Sequence, residues 1–166
     1  MLWVVSPGRP ELDEFALSAG KPVEGAVYQS RSYEPLLERI DNGQIYAFRL
    51  AANAVHSGRR TSEVERTQRF GHVTVAQKLE WLLSRASGFG FAFPKSATGE
   101  PDVAVVGSRR LRFARQGKRA SIDLSEFAGH LEVTDPDQLR TVLTSGVGHA
   151  RAYGCGLLTL AAPRRS

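Results

Sequence analysis

The sequence is short of nearly everything that would staple, embed or metallate a protein. A single cysteine, Cys155, among 166 residues excludes an intrachain disulfide. No apolar run approaches the roughly 20 residues a membrane-spanning helix requires. Met1-Leu-Trp-Val-Val5 is too short for a signal-peptide core and has no basic residue before it. The four histidines, His56, His72, His130 and His149, are widely separated and lack cysteine or acidic partners at ligand spacing, so neither a metal nor a cofactor is expected. The lysine and hydroxyl that end a P-loop are absent, and no Gly-x-Gly-x-x-Gly leads from a strand into a helix, which argues against a nucleoside triphosphate. A reducing, cytoplasmic setting away from membranes is the resulting expectation.

What the chain does have is hydrophobic residues at 42%, enough for a real core, and a net charge of +5 that is unevenly placed. Residues 1–43 hold 4 basic and 7 acidic side chains, whereas 44–166 hold 18 and 10. An anionic partner is therefore expected to meet the second segment.

The first segment reads as strand, helix, strand: Met1 to Val5, then Leu12, Phe15, Ala16 and Ala19 at helical spacing until Gly20, then 23–30. A helical turn near 35–40 and the Asp41-Asn-Gly43 turn signal follow. From Gln44 the pattern becomes complete. Tyr46, Phe48, Leu50 and Ala52 alternate as the apolar face of a strand. Residues 55–71 read as a long polar loop with Arg59, Arg60, Arg66 and Arg69. The periodicity predicts a helix over 75–86 with Val75, Leu79, Leu82, Leu83 and Ala86 on its buried stripe and Trp81 off it, packing on another domain or a neighbouring helix. Ser87 to Pro94 resembles the aromatic core of an RNA recognition motif only in part and reads better as a buried or edge strand. Residues 102–107 and 111–113 read as strand, Gln116-Gly117 as a turn, and 119–124 as the returning partner. Another strand is expected over 127–133, with His130 structural within it. Asp135, Pro136 and Gln138 have the order of a helix cap with a capping box, and Leu139, Val142 and Leu143 form that helix's buried stripe. A strand over 157–161 closes the chain.

Two features carry the chemistry. The predicted hairpin bears Arg109, Arg110, Arg112, Arg115, Lys118 and Arg119 with no acid between Val103 and Ile122. Cations of one sign repel one another unless an anion offsets them, so the hairpin is expected to bind one. The second feature is the loop from Ser145 to Leu160, where Gly146, Gly148, Gly154 and Gly156 surround His149 and Arg151. Such a loop suits close approach to phosphate, and equally suits a turn that lets a helix pack tightly on a sheet.

Gly-Val-Gly-His-Ala-Arg-Ala-Tyr-Gly-Cys-Gly-Leu-Leu in this loop resembles the closing motif of the CasE family, the endoribonucleases that process CRISPR RNA in type I-E systems. Three further stretches fit in order: Tyr46-Ala-Phe-Arg-Leu-Ala-Ala-Asn53, Phe70-Gly-His-Val73 leading into Leu79-Glu-Trp-Leu82, and His130-Leu-Glu-Val-Thr-Asp135. Members often carry arginine where His149 stands, and they are longer at the N-terminus. The resemblance implies an α+β chain of tandem ferredoxin-like (βαββαβ) domains, the first incomplete over 1–43 and the second complete over 44–166. It implies metal-independent cleavage of precursor CRISPR RNA at repeat hairpins, leaving a 2′,3′-cyclic phosphate, by a histidine and a tyrosine expected upstream of Met1. The implied partners are the repeat hairpin and the other subunits of the type I-E Cascade complex. The residues expected to hold RNA are the ten cations named on the 55–71 loop and the hairpin, together with Gly146, Gly148, His149, Arg151, Gly154 and Gly156. Beside the endoribonuclease stand two alternatives: a non-catalytic RNA-holding subunit, and a ferredoxin-like regulatory domain that binds a small anion at the glycine loop.

Overall fold

A computed structural model describes residues 4–8, 30–58, 68–71, 74–115 and 118–162. It divides into two compact units, Met1–Arg39 and Ile40–Ser166. In the first unit one short helix is described, α1 (Glu34–Arg39). The helix expected over 12–19 and most of its flanking strands lie outside the described residues. The division falls four residues before Gln44 because Ile40 is buried with the second unit, where its carbonyl accepts a 2.7 Å hydrogen bond from Arg140 Nη2.

The second unit is built on a five-stranded antiparallel sheet. Its strands are β1 (Ile45–Asn53), β4 (Phe91–Ala92), β5 (Val103–Arg115), β6 (Lys118–Val133) and β7 (Leu158–Ala161). β1 lies between β7 and β6, and both β4 and β5 pair with the other edge of β6. Helix α2 (Val75–Leu83) follows β1, and α3 (Pro136–Ser145) follows β6. Strand, helix, strand, strand, helix, strand with the first strand central is the ferredoxin-like arrangement. β2 (Val55–Gly58) and β3 (Gln68–Gly71) form a separate two-stranded sheet, so the ends of the expected polar loop are paired strands.

The alternation of β1 is realised in its burial: Phe48, Leu50 and Ala52 are buried. The register sets Leu50 opposite Phe127 and Tyr46 opposite Leu131, so these residues share one face of the sheet. Trp81 of α2 covers that face, its ring stacked on Phe127 at 6.2 Å between centroids. Trp81 is thus a core residue of its own unit, 4% exposed, whereas Val75 is 58% exposed. The helix has turned from its expected stripe because the large indole finds its flat partner on the sheet beneath it.

Helix caps follow sequence chemistry. Thr74 Oγ1 accepts from the Gln77 amide at 3.2 Å, and Gln77 Oε1 accepts from the Thr74 amide at 3.3 Å, a reciprocal box opening α2. At α3 the Asp135 carboxylate accepts from the Asp137 and Gln138 amides, each at 3.1 Å. The reciprocal half of that box is not used, because the Asp135 amide donates to the Gly90 carbonyl at 3.0 Å. Gly90 ends a 3-10 turn over Ser87–Phe89, the part of the expected strand that bends instead. A Cβ on Gly90 would run into the Asp135 carbonyl, so this contact requires glycine.

Candidate nucleic-acid interface

The middle of the fold is not a sheet with a separate hairpin added to it. β5 and β6 are each continuous, with one register shift between Val105 and Gly107. Their pairing runs outward to Arg115 opposite Lys118, so one two-stranded arm grows from the sheet itself. β-Alternation then sorts the arm's residues into two faces.

Arg110, opposite Asp123, and Arg112, opposite Ser121, continue the side of the sheet that carries Phe127. Arg112 and Arg119 are exposed. Arg110 is bound to Asp123 through Nε–Oδ1 at 2.5 Å and Nη2–Oδ2 at 3.2 Å. That hydrogen-bonded pairing, reinforced by the carboxylate's charge, holds the guanidinium's pKa above its ordinary value. An open hollow of about 520 Å³ at the outer part of the arm is lined by Arg112, Phe113, Ala114, Arg119, Ala120 and Ser121.

The other face is apolar where it meets the glycine loop. Ile122, Leu124 and Cys155 form a buried cluster, with Ala51, Leu111, Phe113 and Ala150 packed against it. Tyr153 of the loop tilts onto Phe113 at 4.8 Å. Arg109, on this side with Leu124, is exposed and its charge reaches the Cys155 thiol. Burial pushes that thiol's pKa up, and Arg109 draws it partly back down.

The glycine loop passes the end of β1, where His149 bridges Asn53 and the Gly156 amide donates to the Ala51 carbonyl at 2.7 Å. The Gly146 and Gly154 amides donate to Val142 and Arg151 carbonyls, at 2.8 and 3.1 Å, and the Val147 amide donates to Gly156 at 2.7 Å. The amides of Gly146, Gly154 and Gly156 are thus all bonded, to α3, within the loop and to β1 respectively. Gly156 has φ +90°, and a Cβ there would collide with the Val147 carbonyl. Arg151 is exposed, and its Nη1 donates to the Ser145 carbonyl at 2.8 Å, at the C-terminal end of α3. His149 and Gly148 are exposed on the same loop.

The structure therefore gathers Arg109, Arg110, Arg112 and Arg119 on one arm, with the loop residues Gly148, His149 and Arg151 on the segment packed at its foot. Arg59, Arg60 and Arg66 lie outside the described residues, and Arg69 stands in β3 with its side chain likewise outside them. The same holds for the side chains of Arg115 and Lys118. His130 is held by Asp102, Nδ1 to Oδ2 at 2.8 Å, while its amide donates to the Asp102 carbonyl at 3.0 Å. Its place is a clamp at the start of β5, in keeping with a structural role. Sequence reasoning missed Asp123, Lys78 and Ser108, whose partners lie 13 and 30 residues away in the chain. Among the described residues no helix is long and apolar enough to cross a membrane.

A ferredoxin-like unit with a basic arm and a glycine-rich closing loop defines the class to which this chain belongs. A family profile described as "CRISPR associated protein" matches residues 1–162. The chain belongs to that family, and within it to the CasE group. It is 31% identical over 141 residues to the CRISPR-associated endoribonuclease Cse3 of Thermus thermophilus, covering 81% of this chain and 63% of that protein. The Escherichia coli CRISPR system Cascade subunit CasE is 30% identical over 86 residues, which cover 52% of this chain and 39% of that subunit. A solved structure of the CRISPR endoribonuclease Cse3 bound to a 19-nucleotide RNA superposes with a TM-score of 0.63 at 32% identity, covering 75% of this chain and 58% of that one. The matched region thus spans less than two thirds of the curated relatives' own length.

Proposed function

We propose that this protein binds the repeat hairpins of precursor CRISPR RNA through the β5–β6 arm and takes part in their processing to mature CRISPR RNA. The observation that carries the reading is the arm itself, with four exposed arginines among the described side chains between Ser108 and Leu124 and one acid, Asp123, in that stretch. A-form RNA hides its major-groove base edges, so such a row mainly tracks phosphates along a stem. The likeness to an RNA-bound endoribonuclease and to a Cascade subunit supports the same substrate, cleavage as the reaction, and a cytoplasmic place in a type I-E ribonucleoprotein.

In this reaction the second unit does the holding. His130 is occupied by Asp102, and His149 sits where it can touch phosphate. Ferredoxin-like binding of a small anion at the glycine loop is the weaker reading, because the loop amides are already taken: Gly146 by Val142 of α3, Gly154 by Arg151 within the loop, and Gly156 by Ala51 of β1. The expected RNA contacts there are Gly148, His149 and Arg151. The division of labour in this reading assigns 1–43 to an N-terminal ferredoxin-like domain and 44–166 to the RNA-holding one.

The test is hairpin binding between 50 and 200 mM salt, with labelled repeat RNA in EDTA. Arg112→Ala with Arg119→Ala should weaken binding and flatten the log–log salt slope by about 0.9 for each phosphate no longer neutralised. Affinity and slope that ignore both changes would remove the arm from the site. In the same tubes, a 2′,3′-cyclic phosphate product marks the endoribonuclease, and binding without product marks the RNA-holding subunit.

A further inference from the structure

Helix α2 buries one charged residue, Lys78, at 8% exposure. Charged side chains are seldom buried without a partner of opposite sign. Lys78 Nζ lies 2.5 Å from Ser108 Oγ, and none of the ion pairs among the described residues includes it. An ammonium has three donors, and the hydroxyl takes one. Ser108 stands at the foot of the arm, exposed, opposite the fully buried Ser125, whose own hydroxyl has no hydrogen-bond partner among the described residues. By strand alternation Ser108, Arg110 and Arg112 share one side of β5 at steps of roughly 6.5–7 Å. Lys78 therefore adds a cation at the inner end of the row of arginines, with a hydroxyl beside it and no carboxylate ion-paired to it among the described residues.

We propose that Lys78 and Ser108 form a phosphate subsite, the innermost on the arm, which takes one phosphodiester of the RNA backbone. The proposal rests on the RNA-binding reading above and deepens it. The ammonium supplies charge-assisted bonds to a non-bridging oxygen, and the Ser108 hydroxyl, whose one hydrogen reaches the Leu124 carbonyl only at a long 3.5 Å, can turn to give a second donor. The lysine stem packed under α2 keeps the charge from swinging away. A row of cations at strand spacing favours a polymer over a free anion, since successive phosphates can occupy successive positions.

The experiment compares Lys78→Met and Ser108→Ala with the unaltered chain, by hairpin binding across salt and by thermal melting. Lys78→Met keeps the stem and removes the charge. It should weaken hairpin binding about tenfold and flatten the salt slope by about 0.9, with the melting temperature unchanged or higher. Ser108→Ala should weaken binding in the same direction by a smaller factor. If Lys78→Met melts normally and binds with unchanged affinity and slope, the subsite is overturned. If Lys78→Met does not fold, Ser108→Ala decides, and unchanged affinity there overturns it too. Loss of binding in Arg112→Ala but not in Lys78→Met discards this subsite while the RNA reading stands; an unaltered chain that ignores repeat RNA discards both. Inorganic phosphate at matched ionic strength should displace no more RNA than chloride does, and stronger displacement would overturn the preference for a polymer.

Discussion

Arg110 and Asp123 face each other in register across β5 and β6, and their side chains form a two-point ion pair on the arm. The acid occupies the very donors that a phosphate would use. Asp123→Asn should therefore release Arg110 to the RNA, tighten hairpin binding and steepen the salt slope by about 0.9. The pair is exposed, so melting should barely move. Weaker binding in Asp123→Asn would instead show that the carboxylate positions Arg110 for its contact.

The glycine loop gives a contrast between two of its members. Gly156 and Gly154 both have positive φ, +90° and +78°, but a Cβ meets the Val147 carbonyl at the first and nothing within 4 Å at the second. Gly154→Ala should cost about 1–2 kcal/mol, the ordinary penalty of a left-handed residue with a side chain. Gly156→Ala should cost clearly more, because backbone must move as well. Denaturant titration of the two variants ranks them directly, and equal losses would contradict the turn geometry.

Trp81 holds α2 to the sheet through Phe127, and Arg85 lies 5.2 Å from the centre of its ring. Trp81→Ala should cost about 3–5 kcal/mol, as other large core truncations do. Trp81→Phe should retain most of the stability. Chemical denaturation followed by circular dichroism measures both; a small loss for alanine would mean that the indole is not packed as described.

Cys155 is 4% exposed, and its burial favours the neutral thiol over the thiolate. The folded protein should react with alkylating reagents far more slowly than the unfolded chain at the same pH. A raised folded pKa means that the unfolded state loses its proton first, so this group's contribution to stability falls as pH rises past about 8.5. Cys155→Ser should flatten that decline in melts between pH 7.5 and 10. An unchanged slope would assign the decline to other groups.

Much of the fold is local and was legible. Alternation at Tyr46, Phe48, Leu50 and Ala52 specifies β1, and Asp135 before Pro136 specifies the start of α3, because strand period and capping act between near neighbours in the chain. The glycine motif and the three stretches before it were enough to place the chain in its family. The concentration of cations after Ser108 was also visible, since charge is a property of composition.

Tertiary structure decided the rest, wherever the partner is remote in sequence. Trp81 became core because Phe127 lies beneath it, and Arg110 acquired an acid that stands 13 residues away in the chain but directly across the ladder. The expected hairpin and the strand after it proved to be one strand, β6, because continuous pairing with β5 leaves no reason to break at Ser125. Lys78 reads from sequence as one more solvated lysine on a helix. Only the crossing of α2 over the foot of β5 brings it to Ser108, since burial and counter-charge depend on what packs against a residue, which its neighbours along the chain do not reveal.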